Sequence, residues 1–525
     1  MFLYRPLLAC VLLSMAAGII LPALAQETGE SALLKQALSR VSVDRLMADV
    51  RHLSSEEFHG RQTGTPEDLS SAWWVVERWR NLGLLPVMPA PLRAGTAPER
   101  TSAQDRSQNR SLVSLTQPWM MGTTVPVSRI VALPTLQIVT GSFVAPALVG
   151  SDYLPTLDAP SVDLQAPVSF VGYGISDPEQ GYDDYQGLDV KGRIVVFLRG
   201  KPVWYERMVS HAEKVRTAQS KGAVGYVTVT GPIMSAYEAR RGVGTNPLAY
   251  YGNQDRAADQ SLPGVWAAPA LVESILQQPG QEPTVSLQSV QEYIQQKKLP
   301  KSRHTDTQLR LRWERTKSSG ALCNVIGIIE GQDPSLRDDT IVIGAHRDHF
   351  GRQAGLLFPG ADDNASGTAV ILEVARLFME AGAKPARSIV FVSFSGEEQG
   401  LLGSKLYVER PPRPLAQTKA MINIDHAGIG NGRLTVGVTG LDKSVAAQAG
   451  ESAELADKLD LFGFFPGGDH VPFKEAGVPT VTVVSGGPHP HFHQPGDTSE
   501  TIQPNVLLSA TRYVLALTWQ LANQP

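Results

Sequence analysis

The chain has 525 residues, of which 42% are hydrophobic and 19% charged, and its formal net charge is −4 at pH 7. That length exceeds one ordinary domain, and the composition is that of a globular protein. The charge balance and the absence of long Lys/Arg runs argue against a polyanionic partner, and no nucleic-acid motif occurs.

At the N-terminus, Arg5 precedes the apolar stretch Leu7 to Leu21, and Ala23-Leu24-Ala25 forms a small-residue cleavage site. The pattern predicts a signal peptide over residues 1–25, cut to leave Gln26 first. It implies a periplasmic or secreted bacterial protein with no membrane insertion after cleavage. An uncleaved anchor is disfavoured because the run is short and broken by Gly18 and Pro22. Leu7-Leu8-Ala9-Cys10 is similar to a lipoprotein box, but too little apolar sequence precedes it. Cys10 leaves with the signal, so Cys323 stands alone, no internal disulfide forms, and its apolar run predicts a buried structural thiol.

Apolar spacing predicts a helix over Ser31–Arg51, and a second over Glu67–Leu82 with Trp73, Trp74 and Trp79 as core residues. Between them lies the loop L-S-S-E-E-F-H-G-R-Q-T-G-T. Pro86 to Pro91 ends the second helix, and an exposed loop follows to about Arg110. Strands are predicted at Pro167–Gly174, Gly192–Leu198 and Gly222–Thr230, with a helix at Tyr205–Ser220. This middle stretch reads as a small α/β domain over residues 124–305, inserted into a larger domain made of 26–123 and 306–525. From Leu322 strands alternate with helices: strands at Cys323–Ile329, Thr340–Ala345, Ser388–Ser393, Ala420–Asp425 and Val478–Val484, and helices at Ser366–Ala381, Gly400–Glu409, Lys443–Leu459 and Asn505–Ala522. The fold class is therefore α/β, a mostly parallel or mixed central sheet flanked by helices.

Polar groups gather just beyond these apolar strands, where open α/β sheets build their sites. His346 follows one strand, Glu397 and Glu398 another, Asp425 ends a third, and His493 comes after a fourth. Asp362 enters from the loop before the helix at Ser366. Three carboxylates and two imidazoles, with a spare Glu beside them, are what two adjacent zinc ions and a general base require. In this reading Asp362 bridges, His346 and Asp425 complete one metal site, and Glu398 and His493 complete the other. Glu397 takes the proton of the attacking water, and Asp348 orients the His346 ring. Asp363 is expected to support backbone geometry rather than bind metal. The run His489-x-His491-x-His493 is ambiguous by itself, and His470 is equally a substrate contact or a buried, hydrogen-bonded residue.

The motifs G-A-H-x-D, G-A-D-D-N-A-S-G, G-E-E-x-G-L-L-G-S, N-x-D and H-x-P-x-D-T occur in order. They resemble those of the co-catalytic di-zinc aminopeptidase family, which includes bacterial leucyl aminopeptidases, aminopeptidase Y and glutamate carboxypeptidase II. G-D-H-x-P-F at Gly468–Phe473 and the early L-S-S-E-E-F-H-G-R segment add to the resemblance. Val171–Gly174 with Asp183–Gly200 is similar to a protease-associated domain. The resemblance implies a zinc exopeptidase fold of the phosphorylase/hydrolase-like kind, two Zn2+ ions on His346, Asp362, Glu398, Asp425 and His493, and Glu397 as general acid/base. It implies a secreted metallo-aminopeptidase acting on peptides by a two-metal hydroxide mechanism. A carboxypeptidase or dipeptidase on the same fold is the alternative, ahead of a glutaminyl cyclase-like transferase or a non-catalytic binding protein. One departure stands out: Phe492 occupies a position where many members carry a Tyr whose hydroxyl helps an oxyanion. His349 and His426 sit beside family motifs without an assigned role.

Overall fold

A computed structural model describes residues 29, 31–87, 118–234, 244–252, 262–277, 285–382 and 384–524. The expected signal peptide, with Cys10, lies outside the described residues, as does most of the loop expected up to Arg110. Among the described residues, no helix is long and apolar enough to cross a membrane.

The predicted Ser31–Arg51 helix is two helices, residues 31–39 and Val43–Leu53. Ser42 separates them because its hydroxyl accepts the Arg45 amide and caps the second helix. The next helix, Pro66–Leu82, starts one residue before expectation, with Thr65 as its cap and Pro66 in the first turn. Trp79 is buried as expected, whereas Trp73 is 40% exposed and Trp74 only partly buried, so the aromatic stripe is not all core.

One mixed sheet runs through the molecule. Thr340–His346 runs parallel to Ser388–Phe394 on one side and to Thr418–Ile424 on the other. Thr480–Ser485 continues the parallel set, and Leu434–Thr439 then runs antiparallel to it. All seven residues of Thr340–His346 are buried. A strand covered on both faces must be apolar throughout, which is why these segments read as continuous apolar runs. The helices Gly367–Glu380 and Pro504–Asn523 pack into the large core together with the N-terminal helices. The expected helix Lys443–Leu459 stops at Ser452, and Leu459–Phe462 is a strand beside Leu434–Thr439.

The expected domain boundaries at 124 and 305 fall inside two long strands, Met120–Thr140 and Arg303–Ile329. The two pair antiparallel from Gln308↔Val139 to Val325↔Met120. The second also pairs with Ser388–Phe394 at one end and with Val162–Phe170 at the other. The inserted unit is thus joined through β-ladders rather than flexible linkers. Its own parallel strands, Val162–Phe170, Ile194–Leu198, Gly225–Val229 and Gly264–Ala267, carry a separate core. Its helix begins at His211, six residues later than predicted, where the Ser210 hydroxyl caps it.

Candidate metal centre

The loops beyond Thr340–His346, Ser388–Phe394 and Thr418–Ile424 converge with the loop before Gly367. His346 ends its strand with its side chain buried, and its Nδ1 lies 3.1 Å from the Asp348 backbone carbonyl. A carbonyl only accepts, so Nδ1 carries a proton; against burial, Asp425 and Asp363 raise the ring well above its ordinary range, and Nε2 offers a lone pair once a cation takes the place of its proton. That Nε2 lies 3.3 Å from Asp363 Oδ1 and 3.3 Å from Asp425 Oδ1. His493 repeats the arrangement. Its Nδ1 lies 3.0 Å from the Ala249 carbonyl, and its Nε2 faces Asp363 Oδ2 at 3.1 Å and Glu398 Oε2 at 3.5 Å.

Asp363 therefore stands between the two imidazoles, one oxygen toward each. This corrects the sequence expectation, which placed Asp362 there and gave Asp363 a backbone role. Adjacent residues point different ways, and here Asp363 departs from helical geometry at φ −111°, ψ 92°. Asp362 turns outward to another network. Its Oδ1 accepts the Gly428 amide at 2.8 Å, and its Oδ2 lies 2.6 Å from His489 Nδ1 and 3.4 Å from His426 Nδ1. Asp497, from the H-x-P-x-D-T motif, accepts the amides of both Asp362 and Asp363 and holds the loop.

Glu398 lies between two imidazoles, with His349 Nδ1 at 2.7 Å from Oε1 and His493 at its other oxygen. His349 was a residue without a role; in the fold it holds Glu398. Glu397 borders the cavity, and its amide donates to Asp348 Oδ1 at 3.3 Å. The expected orienting role of Asp348 falls to its backbone carbonyl, for its carboxylate is 3.7 Å from His346 Nδ1 and accepts Thr63 Oγ1 at 2.8 Å. His470 is buried, with Nε2 2.6 Å from the Phe465 carbonyl. His491 enters none of the metal-holding groups found among the described residues.

Two buried arginines missed by sequence reading support the centre. Arg347 pairs with Asp68 at 3.0 Å and donates to the Cys323 carbonyl. Arg61 reaches the carbonyls of Arg347, Pro359 and Gly360, tying the early loop to the loops that carry His346 and Asp363. The signal for Arg61 was its place in G-R-Q-T-G-T and for Arg347 its place between His346 and Asp348, although charge alone marks both as surface.

Four carboxylates share this buried space. Burial pushes Glu397 up to about 8, against His346 and with help from Asp425. Burial also raises Glu398 well above its ordinary range, and Asp363 and Glu397 add to the rise. Asp363 is held well below the carboxylate range because His426, His346 and His493 outweigh its burial. Cations placed among these oxygens would pull the raised groups back down. The residues fit such ions. Among the described residues, four groups each bring three donor atoms within 4.8 Å of one another: His346, Asp363 and Asp425; His349, Asp363 and Glu398; His346, Glu397 and Glu398; and Asp362, His426 and His489. Asp363 Oδ2 is buried without a hydrogen bond, although an imidazole nitrogen faces it. Without a proton on that nitrogen the two lone pairs would repel, and a cation between them reverses the sign.

The cavity beside these residues holds about 660 Å³, and its far wall comes from the inserted unit, with Arg199, Lys201, His211, Tyr250 and Trp266. Phe492 also lines it, stacked on His493 with centroids 3.8 Å apart, and it brings no hydroxyl.

The model of Peptidase family M28 matches residues 324–518. Aminopeptidase YwaD of Bacillus subtilis is 32% identical over 208 residues, which are 38% of this chain and 44% of that protein. The chain spans about half the length of the curated relatives it matches. An aminopeptidase from Aneurinibacillus sp. strain AM-1 is similar in fold, with a TM-score of 0.62 at 19% identity over 94% of this chain and 97% of that one. BSAP, a zinc aminopeptidase from Bacillus subtilis, shares the fold with a TM-score of 0.55 at 20% identity over 92% of this chain and 96% of that one. The matched residues 324–518 are the part of the chain that supplies all the carboxylates between the two imidazoles.

Proposed function

We propose that the chain is a secreted zinc metallo-exopeptidase that removes N-terminal residues from peptides, and that it holds two zinc ions. The observation that carries this reading is the placement of Asp363, 3.3 Å from His346 Nε2 through one oxygen and 3.1 Å from His493 Nε2 through the other. Both rings are anchored through Nδ1 to backbone carbonyls, so both turn a lone pair toward the shared carboxylate. His346 and Asp425 would hold one ion, His493 and Glu398 the other, with Asp363 common to both.

Zinc, when bound, supplies Lewis acidity toward the scissile carbonyl and toward water. The residues of the chain do the rest. Glu397, next to Glu398 but bordering the cavity, takes the proton of the attacking water and passes it to the leaving amine. Asp348 holds the Glu397 amide and, through its carbonyl, the His346 ring. His349 fixes Glu398, and Tyr250, Trp266 and Phe492 shape an apolar wall for a substrate side chain. The wall from the inserted unit supports reading that unit as a protease-associated domain that limits which peptides enter. The aminopeptidase names of the similar proteins favour release from the amino end.

Arg199 and Lys201 in the same cavity favour a second reading, a carboxypeptidase or dipeptidase that grips a free carboxylate. Digestion of a peptide library, read by mass spectrometry with and without chelator, separates the two. N-terminal trimming that chelator abolishes supports the first reading. Cleavage of N-blocked peptides from the carboxyl end supports the second.

A further inference from the structure

The inserted unit does more at this site than wall the cavity. Its segment 248–252 is tied into its own fold, because Leu157 N donates to the Tyr250 carbonyl at 2.9 Å and Gly252 N to Asp158 Oδ1 at 2.7 Å. The same segment pairs with His493 through the main chain in both directions. Ala249 N donates to the His493 carbonyl at 2.9 Å, and His493 Nδ1 donates to the Ala249 carbonyl at 3.0 Å. His493 carries a positive φ of 54°, which few residues other than glycine adopt without support. The first bond holds that backbone and the second holds the ring.

Packing completes the grip. Phe350 meets the His493 ring edge-on at 4.7 Å, and Phe492 stacks on it at 3.8 Å. Ala249 is fully buried and packs with Phe350 in one apolar cluster, while Leu248 and Trp266 pack with Phe492 in another. The ring thus has one nitrogen fixed by the inserted unit and packs against two aromatic side chains that the inserted unit supports. Its remaining nitrogen points at Asp363 and Glu398.

We propose that Ala249 is a positioning residue of the metal centre: its main chain sets the tautomer and direction of His493, so the inserted unit controls one of the two metal sites and not the other. The His346 ring donates its equivalent hydrogen bond to the Asp348 carbonyl, outside the inserted unit. The inference rests on the two-zinc reading above. Loss of such an outer partner of a ligating histidine lowers metal affinity by about 10- to 100-fold.

The test is zinc titration of the chelator-stripped full chain against a chromophoric competitor, with stoichiometry from elemental analysis. Wild type is compared with Ala249→Pro, which keeps the carbonyl but loses the N–H whose bond to the His493 carbonyl holds the two segments in register, and with Ala249→Gly, which keeps both main-chain groups. The expected result is two zinc ions in wild type and Ala249→Gly. In Ala249→Pro one site weakens about 10- to 100-fold while the other stays within about 2-fold. Equal weakening of both sites, or no change, overturns the inference. A wild type that binds no zinc overturns the two-metal reading itself, which keeps the two failures apart. If Ala249→Pro does not fold, hydrogen exchange of wild type decides. Zinc should slow exchange across 248–252 and leave the distant Leu287–Lys297 helix unchanged, and no slowing at 248–252 refutes the proposal.

Discussion

Replacing Asp363 and Asp362 separately with alanine separates two adjacent carboxylates that the sequence cannot tell apart. In Asp363→Ala both imidazole Nε2 atoms lose the oxygen they share, at 3.3 and 3.1 Å. Zinc content should fall from two ions per chain to one or none. Turnover should fall at least about 1,000-fold, equal to about 4 kcal/mol of transition-state stabilisation. The metal-free protein should lose little stability, because the change removes one of four carboxylates crowded into a buried space. Asp362→Ala should behave in the opposite way. The Gly428 amide and His489 Nδ1 lose an acceptor at 2.8 and 2.6 Å, both buried. Each stranded donor costs about 1–3 kcal/mol, so the fold should weaken by about 2–6 kcal/mol. Zinc stoichiometry should remain two at a temperature where the variant is folded. Elemental analysis of purified protein and denaturant melts read both quantities. Full zinc in Asp363→Ala together with lost zinc in Asp362→Ala would refute the assignment and restore Asp362 to the bridge.

Glu397→Ala should keep both zinc ions yet lose about 100- to 10,000-fold in kcat, the range for a removed general acid/base, and an active variant would sink that role. Dialysis against a chelator should abolish peptide hydrolysis and lower the melting temperature, with both restored by added zinc, since a ligand that binds only the folded state stabilises it. A pH test addresses His211, which burial, with Lys214 and Arg199, pushes down to about 3. The folded state holds it neutral while the unfolded chain protonates it near 6.5, so its contribution is complete above that pH and is lost as pH falls toward 3. Wild type should lose about 1.4 kcal/mol more per pH unit than His211→Phe between pH 6 and 4, followed by Trp fluorescence in urea. Parallel pH curves for the two proteins would contradict that burial argument. In Asp68→Ala, Arg347 is left as an uncompensated buried charge, and the fold should lose about 3–5 kcal/mol; a melt within 1 kcal/mol of wild type, on the order of experimental scatter, would count against it.

The sequence by itself determined the class of the fold and the corners where its chemistry collects. Fully buried parallel strands must be continuous apolar runs, so Thr340–His346, Ser388–Phe394 and Thr418–Ile424 were legible within a residue or two. Residues just past such strands converge in space, which is why His346, Glu398, Asp425 and His493 could be picked out and were in fact brought together. Three things depended on tertiary structure. Strand pairing showed that Met120–Thr140 and Arg303–Ile329 run through the expected boundaries, because ladder partners lie far apart in sequence. The path of the backbone before Gly367 chose Asp363 over Asp362, because neighbouring side chains diverge and only the fold says which one faces inward. The partners of buried polar groups, Arg61 on the ligand loops and the Ala249 carbonyl on His493, are set by contacts across hundreds of residues, to which neither spacing nor composition is sensitive.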